Sequence, residues 1–153
     1  MSFLSSMNIV GSGMTAQQLR LDVIAENITN SNTTRTEGGG AYRRKMVVFQ
    51  AEAGRDGFRA AMARAASGAA PNAGYEDAGG VRVVQIVEDP APFKLVYDPA
   101  HPDADEEGYV SMPNVDTVKE MTDAMAAAQA YSANVTAFNT LKQVVAKGLE
   151  IGR

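Results

Sequence analysis

Four groups of residues in this chain have the types and spacing to do chemistry, and each fails a second requirement. The run Ile9 to Ala16 (IVGSGMTA) matches G-x-G-x-x-A, in which glycines let a pyrophosphate approach a helix N-terminus. That fingerprint needs a strand before it and an acidic side chain about 20 residues later. Ser5, Ser6, Met7 and Asn8 precede it, and Asn30 to Thr34 (NSNTT) occupy the later window, so Gly11 and Gly13 read as small residues that admit a neighbouring helix. Asp103, Asp105, Glu106 and Glu107 beside His101 offer oxygens for Ca²⁺ or Mg²⁺, but they lack the twelve-residue, glycine-centred spacing of an EF-hand. A solvated acidic loop is the plainer reading. His101 has no nucleophile context such as G-x-S-x-G anywhere in the chain. Arg43-Arg44-Lys45 could touch phosphates, yet three charges alternating across a strand more often make a polar edge or a salt-bridge site for a partner.

Composition narrows the field further. The 153 residues are 45% hydrophobic and 21% charged, which suits a folded protein rather than a disordered tail. With no cysteine and one histidine, disulfides, thiol nucleophiles, Cys-based zinc sites and multi-His metal sites are excluded. What enzyme chemistry remains must run on carboxylates, hydroxyls or a bound cofactor. A net charge of -4 also disfavours nucleic acid as a partner. The charge is uneven: residues 35–64 sum to +4 and residues 65–113 to -7, while the two ends are nearly neutral. Met1–Leu19 and Ala124–Leu141 carry no charge at all. Neither is a membrane span, because Ser, Asn, Thr and Gln interrupt both. The first lacks the basic start and cleavage site of a secretory signal.

Periodicity separates the ends from the middle. Phe3, Met7, Val10, Met14, Gln17, Leu21, Ile24 and Ile28 follow a 3-4 spacing and predict a helix with a coiled-coil-like seam. Val118, Met121, Met125, Ala128, Ser132 and Val135 repeat the rule, and Phe138, Leu141, Val145 and Leu149 continue it in a slipped phase, as a stutter would. Pro113 and Asn114 offer a stop and an N-cap for this second helix, with Asp116 in its first turn. At about 1.5 Å per residue, 3–29 would extend about 40 Å and 115–150 about 54 Å. Between the helices, Tyr42–Gln50, Val81–Val87 and Phe93–Tyr97 are β-rich, and the last two are expected to pair as an antiparallel hairpin. Residues 57–79 read as a weak helix and then a flexible loop at about 65–79.

The expected fold is therefore mainly α with a small β segment. Long N- and C-terminal helices, within 1–34 and 114–153, pair in a coiled-coil-like manner, and a β-hairpin-containing region occupies 35–113. A helix with no charge for five turns expects neighbours on most sides. Two helices from one chain cannot surround each other, so the seams are expected to be buried between chains. The candidate interface residues are Met7, Val10, Met14, Leu21, Ile24 and Ile28 on the first helix. On the second they are Val118, Met121, Met125, Val135, Phe138, Leu141, Val145 and Leu149.

Ser12 to Ile28 (SGMTAQQLRLDVIAENI), followed by Asn30 to Thr34, resembles the N-terminal signature of the bacterial flagellar rod and hook proteins, SGLxAxxxxxDxIAxNIANxNT, with Glu26 and Thr29 as mild departures. YRRKMVVFQ at 42–50, the block at 80–115 and ANVTAFNTLKQVVAKGLEIGR at 133–153 extend the resemblance over almost the whole chain; residues 51–79 alone are nondescript. The block at 80–115 is similar to that of a proximal rod subunit.

This resemblance implies a non-enzymatic subunit of a helical assembly that crosses the periplasm and passes torque from the membrane-embedded MS ring to the distal rod and hook. It implies partners: other copies of itself, other proximal and distal rod proteins, the MS-ring and export-gate side of the basal body, and the flagellar type III export apparatus. It also implies export without a cleaved signal, and no cofactor, metal or small-molecule substrate. Two readings from other classes remain open on the residues alone. A small cofactor-binding enzyme requires a strand-turn-helix at Gly11 and Gly13, and a coiled-coil adaptor requires helices that are stable at dilute concentration.

Overall fold

The computed structural model describes residues 3–53 and 78–151, together with Met62. Two long helices, α1 (Phe3–Thr29) and α2 (Thr117–Ile151), flank four strands in sequence: β1 (Lys45–Ala53), β2 (Ala78–Glu88), β3 (Lys94–Tyr97) and β4 (Tyr109–Met112). The protein is thus mainly helical with a small β part. β1 and β2 form one two-stranded sheet, and β3 and β4 form another. The chain divides into two compact units. The first comprises Met1–Gln17, Phe49–Val84 and Ala130–Arg153, and the second Gln18–Val48 and Gln85–Gln129. The expected weak helix and loop lie outside the described residues, apart from Met62 and from Ala78 and Gly79, which open β2.

The second unit holds most of the buried side chains. Val23, Ile24, Ala41, Tyr42, Val110, Pro113, Val115 and Ala127 are buried together with two polar residues, Asn27 and Glu120. α1 ends where Asn30 turns back on it: both its backbone N–H and its side-chain amide donate to the Glu26 carbonyl. The chain then loops through Gly39 and Gly40, at φ 81° and 85°, and the Tyr42 N–H closes the loop on the Thr33 carbonyl. A left-handed backbone at two successive residues is cheap only for glycine.

The strand pairing departs from the expected hairpin. β2 pairs with β1, and β3 pairs antiparallel with β4 in the register Lys94↔Met112, Leu95↔Ser111, Val96↔Val110, Tyr97↔Tyr109. Pro90 and Pro92 have no N–H to give to a tight turn, and the groups between them are engaged elsewhere. The Asp89 N–H donates to the Arg44 carbonyl, while the Asp89 and Ala91 carbonyls accept from Asn114 Nδ2 and Arg43 Nη1. β4 has only four residues between an acidic turn and Pro113, too few to show periodicity.

The start of α2 also differs from expectation. Asp116, not Asn114, is the N-cap: its Oδ1 accepts from the N–H groups of Val118 and Lys119 at 3.1 and 3.4 Å. Asn114 Oδ1 instead accepts from the Arg44 N–H at 2.8 Å.

In the first unit α1 carries a small, polar contact face. Ser12 Oγ donates to the Ile9 carbonyl and accepts from the Val81 N–H at 3.0 Å. Gly80 sits there at φ 128°, and a Cβ on it would overlap Ser12 Oγ. At Gly13 a Cβ would stand 3.0 Å from the Asn134 amide, so α1 and α2 approach closely at this point.

Candidate assembly surface

A polar lock fixes the second unit. Glu120 has no exposed surface, and Asn27 is 1% exposed. Glu120 Oε1 accepts from Arg44 Nε at 2.6 Å, and Oε2 accepts from Asn27 Nδ2 at 3.0 Å. Asn27 Nδ2 also donates to the Lys45 carbonyl, and its Oδ1 accepts from the Tyr42 hydroxyl and the Lys45 N–H, all at 2.9 Å. Arg44 reaches Asp89 and Asp123 as well, and Asp123 pairs with Arg20. A buried carboxylate is tolerable only when paired and hydrogen-bonded, and each buried atom of this cluster has a partner.

The electrostatics follow from the packing. Burial, then the charges of Glu26, Glu120 and Glu88, push the Tyr42 phenol up to about 12. Burial pulls the Arg44 guanidinium down, but hydrogen bonding and attraction from Glu120, then Asp89, outweigh it, and its pKa lies above the ordinary value. The basic run is thus consumed inside the unit. Arg43 lies over the Phe93 ring at 4.4 Å, and Lys45 pairs with Glu26.

The lock sets which side of α2 faces inward. In the second unit the covered positions of this helix run through Glu120, Ala124 and Ala127. In the first unit they run through Tyr131, Asn134, Phe138, Leu141 and Val145. The stripe chosen on hydropathy lies elsewhere over the first turns: Val118, Met121 and Met125 are 74%, 55% and 66% exposed. Val135, Phe138, Leu141 and Val145 are half-buried, and Leu149 is exposed. On α1, Ile24 is buried, and Met7, Val10, Met14, Leu21 and Ile28 are half-buried. Val118, Met121 and Met125 thus form an exposed apolar stripe along one side of α2. Arg44 pairs within its own chain rather than with a partner. Glu120 and Asn27 escaped the sequence reading, because a hydropathy pattern gives no weight to a charge that finds its partner across the fold.

The acidic loop is turn chemistry. Asp105 Oδ1 accepts from the Glu107 and Tyr109 N–H groups, Asp103 Oδ2 accepts from the Thr34 hydroxyl, and His101 Nδ1 accepts from the Asp103 N–H. Gly11 to Ala16 lie in the middle of α1 rather than after a strand, so the dinucleotide geometry is not built. Among the described residues no three Asp, Glu or His side chains gather to hold a metal ion, and no helix is long and apolar enough to cross a membrane.

Comparison with known proteins places these features. A family model described as "Flagella basal body rod protein" matches residues 7–35, and one described as "Flagellar basal body rod FlgEFG protein C-terminal" matches residues 106–151. The chain is 43% identical over 157 residues to the flagellar basal-body rod protein FlgC of Bacillus subtilis, with all of both chains covered. It is 42% identical over 153 residues to the FlgC of Escherichia coli O6:H1 and 40% identical over 153 residues to that of Salmonella typhimurium, again with full coverage of each. The matched segments contain α1 from residue 7 onward, the lock residues Asn27 and Glu120, and the exposed stripe of α2. With identity of this order along its entire length, the chain belongs to the FlgC family of flagellar basal-body rod proteins.

Proposed function

We propose that this protein is a structural subunit of the proximal rod of the flagellar basal body and works by assembly rather than by catalysis. It polymerises with copies of itself and with other proximal and distal rod proteins into the shaft that crosses the periplasm. At one end it meets the MS-ring and export-gate side of the basal body, and it reaches its place through the flagellar type III export apparatus without a cleaved signal. Torque passes through many apolar contacts between neighbouring subunits. The helix positions expected to make them are Met7, Val10, Met14, Leu21, Ile24 and Ile28, together with Val118, Met121, Met125, Val135, Phe138, Leu141, Val145 and Leu149. The observation that carries this reading is the exposed apolar stripe of α2, held outward by a lock that turns Glu120 of the same helix inward. In such a subunit the lock keeps the unit rigid under load.

The test is to purify basal bodies from a motile strain and probe them for this chain, and to delete its gene. Its recovery with the rod, and loss of rods on deletion, is the expected result. Basal bodies that lack the chain, or rods that assemble without it, would sink the proposal.

A further inference from the structure

The second unit carries two exposed patches of complementary chemistry. In the β3–β4 hairpin the pairs Leu95↔Ser111 and Tyr97↔Tyr109 share one face, and Val96↔Val110 share the other. On the second face Val110 is 2% exposed and packs inward, whereas its partner Val96 is 47% exposed. The first looks outward: Leu95 is 69%, Tyr97 64% and Tyr109 41% exposed. The two tyrosine rings hold each other edge to face, with centroids 5.3 Å apart. Asp98, Asp105, Glu106 and Glu107, all exposed, rim this aromatic patch with negative charge.

The other patch is the stripe Val118, Met121 and Met125 on α2. From residue 117 to 141 the only charged residues are Lys119, Glu120 and Asp123. Glu120 and Asp123 are paired with Arg44 and Arg20, which leaves exposed Lys119 as the charge beside the stripe. Methionine sulfurs favour aromatic rings, and a cation favours an acidic rim. Both patches stay exposed although they belong to one compact unit, so a chain does not cover its own stripe with its own hairpin.

We infer that the hairpin face of one copy docks on the α2 stripe of a second copy, Tyr97 and Tyr109 against Met121 and Met125. The contact joins two different patches, so it is heterologous: each copy offers both a free stripe and a free hairpin face. Repeated with a rotation that does not close, such a contact builds an open helix. This inference rests on the rod reading and adds to it which surfaces meet.

The chain has no cysteine, which makes the contact directly readable. A deletion strain would carry the double variant Tyr97→Cys with Met121→Cys, and purified basal bodies would be treated with a short bismaleimide. The expected result is a ladder of crosslinked dimers and higher multimers. Each single variant alone should stay monomeric, and the two single variants coexpressed should give dimers only. Leu95→Cys with Met125→Cys provides a second pair should the first assemble poorly. Lys119→Glu in the double-cysteine background should lower the crosslinked fraction several-fold, and adding Glu106→Lys and Glu107→Lys should restore it. A monomeric band from both pairs, in basal bodies that contain the chain, overturns the docking while leaving the rod reading intact. Dimers from Tyr97→Cys alone, equal in yield to the double variant, overturn it too, because the patch would then meet itself. Absence of the unsubstituted chain from basal bodies overturns both.

Discussion

Arg44 Nε lies 2.6 Å from Oε1 of Glu120, a carboxylate with no exposed surface, and this contact ties the entry to β1 onto the first turn of α2. Removing one partner of such a pair leaves the other charge buried and alone, which typically costs about 3–5 kcal/mol. Glu120→Ala and Arg44→Ala should each lower the urea midpoint accordingly. Replacing both by methionine should cost far less than the sum of the single losses, because no fully buried charge is left alone and Asp89 and Asp123, which lose Arg44, keep 22% and 32% of their side-chain surface in solvent. Strictly additive losses would show that the two side chains do not act as a pair.

Tyr42 gives the lock a pH dependence at its alkaline edge. Its folded-state pKa, pushed up to about 12 by burial and then by Glu26, Glu120 and Glu88, stands above the ordinary value of 10.0. A raised folded pKa means the unfolded chain loses its proton first, so the contribution is whole below pH about 10 and is lost as pH rises through about 12. The Tyr42 hydroxyl donates to Asn27 Oδ1, and a phenolate could not. Tyr42→Phe should therefore cost about 1 kcal/mol at neutral pH. Its deficit against the parent should shrink between pH 10 and 12. A gap that stays constant or widens in that range, followed by denaturant titration, would count against this assignment.

Asp116 caps α2. Asp116→Ala should destabilise by about 1 kcal/mol and reduce helical circular dichroism, while Asp116→Asn should be nearly silent. Asn114→Ala should loosen residues 89–91 without shortening the helix. Loss of helix signal from Asn114→Ala but not from Asp116→Ala would reverse the assignment.

The helices and most strands are legible in the sequence because each is a run of one period. Phe3 to Ile28 repeats at helical spacing, and Val81–Val87 lies inside β2. The pairing of strands was not legible. It depends on where Asp89 and Asn114 send their hydrogen bonds, which are contacts between residues 25 to 70 positions apart. The inward turn of Glu120 was not legible for a similar reason: it looks like a solvent residue until Arg44 and Asn27 are brought to it. Val118, Met121 and Met125 were picked out by their spacing, and they are exposed in the single chain, as the proposed seam between chains requires.

The central claim is that this surface acts through assembly, and replacing Met125 by Asp tests it most directly. Met125 is 66% exposed in the single chain, so Met125→Asp should leave helix content, thermal midpoint and export level unchanged. Once a neighbouring subunit covers it, an unpaired carboxylate costs several kcal/mol in every copy. The measurement is incorporation into purified basal bodies, with swimming scored in the same complemented deletion strain and His101→Ala as the comparison. The account predicts an exported, folded Met125→Asp chain absent from basal bodies and a non-motile strain, beside a motile His101→Ala strain. Normal incorporation and swimming of Met125→Asp, with loss of swimming in His101→Ala, would contradict it.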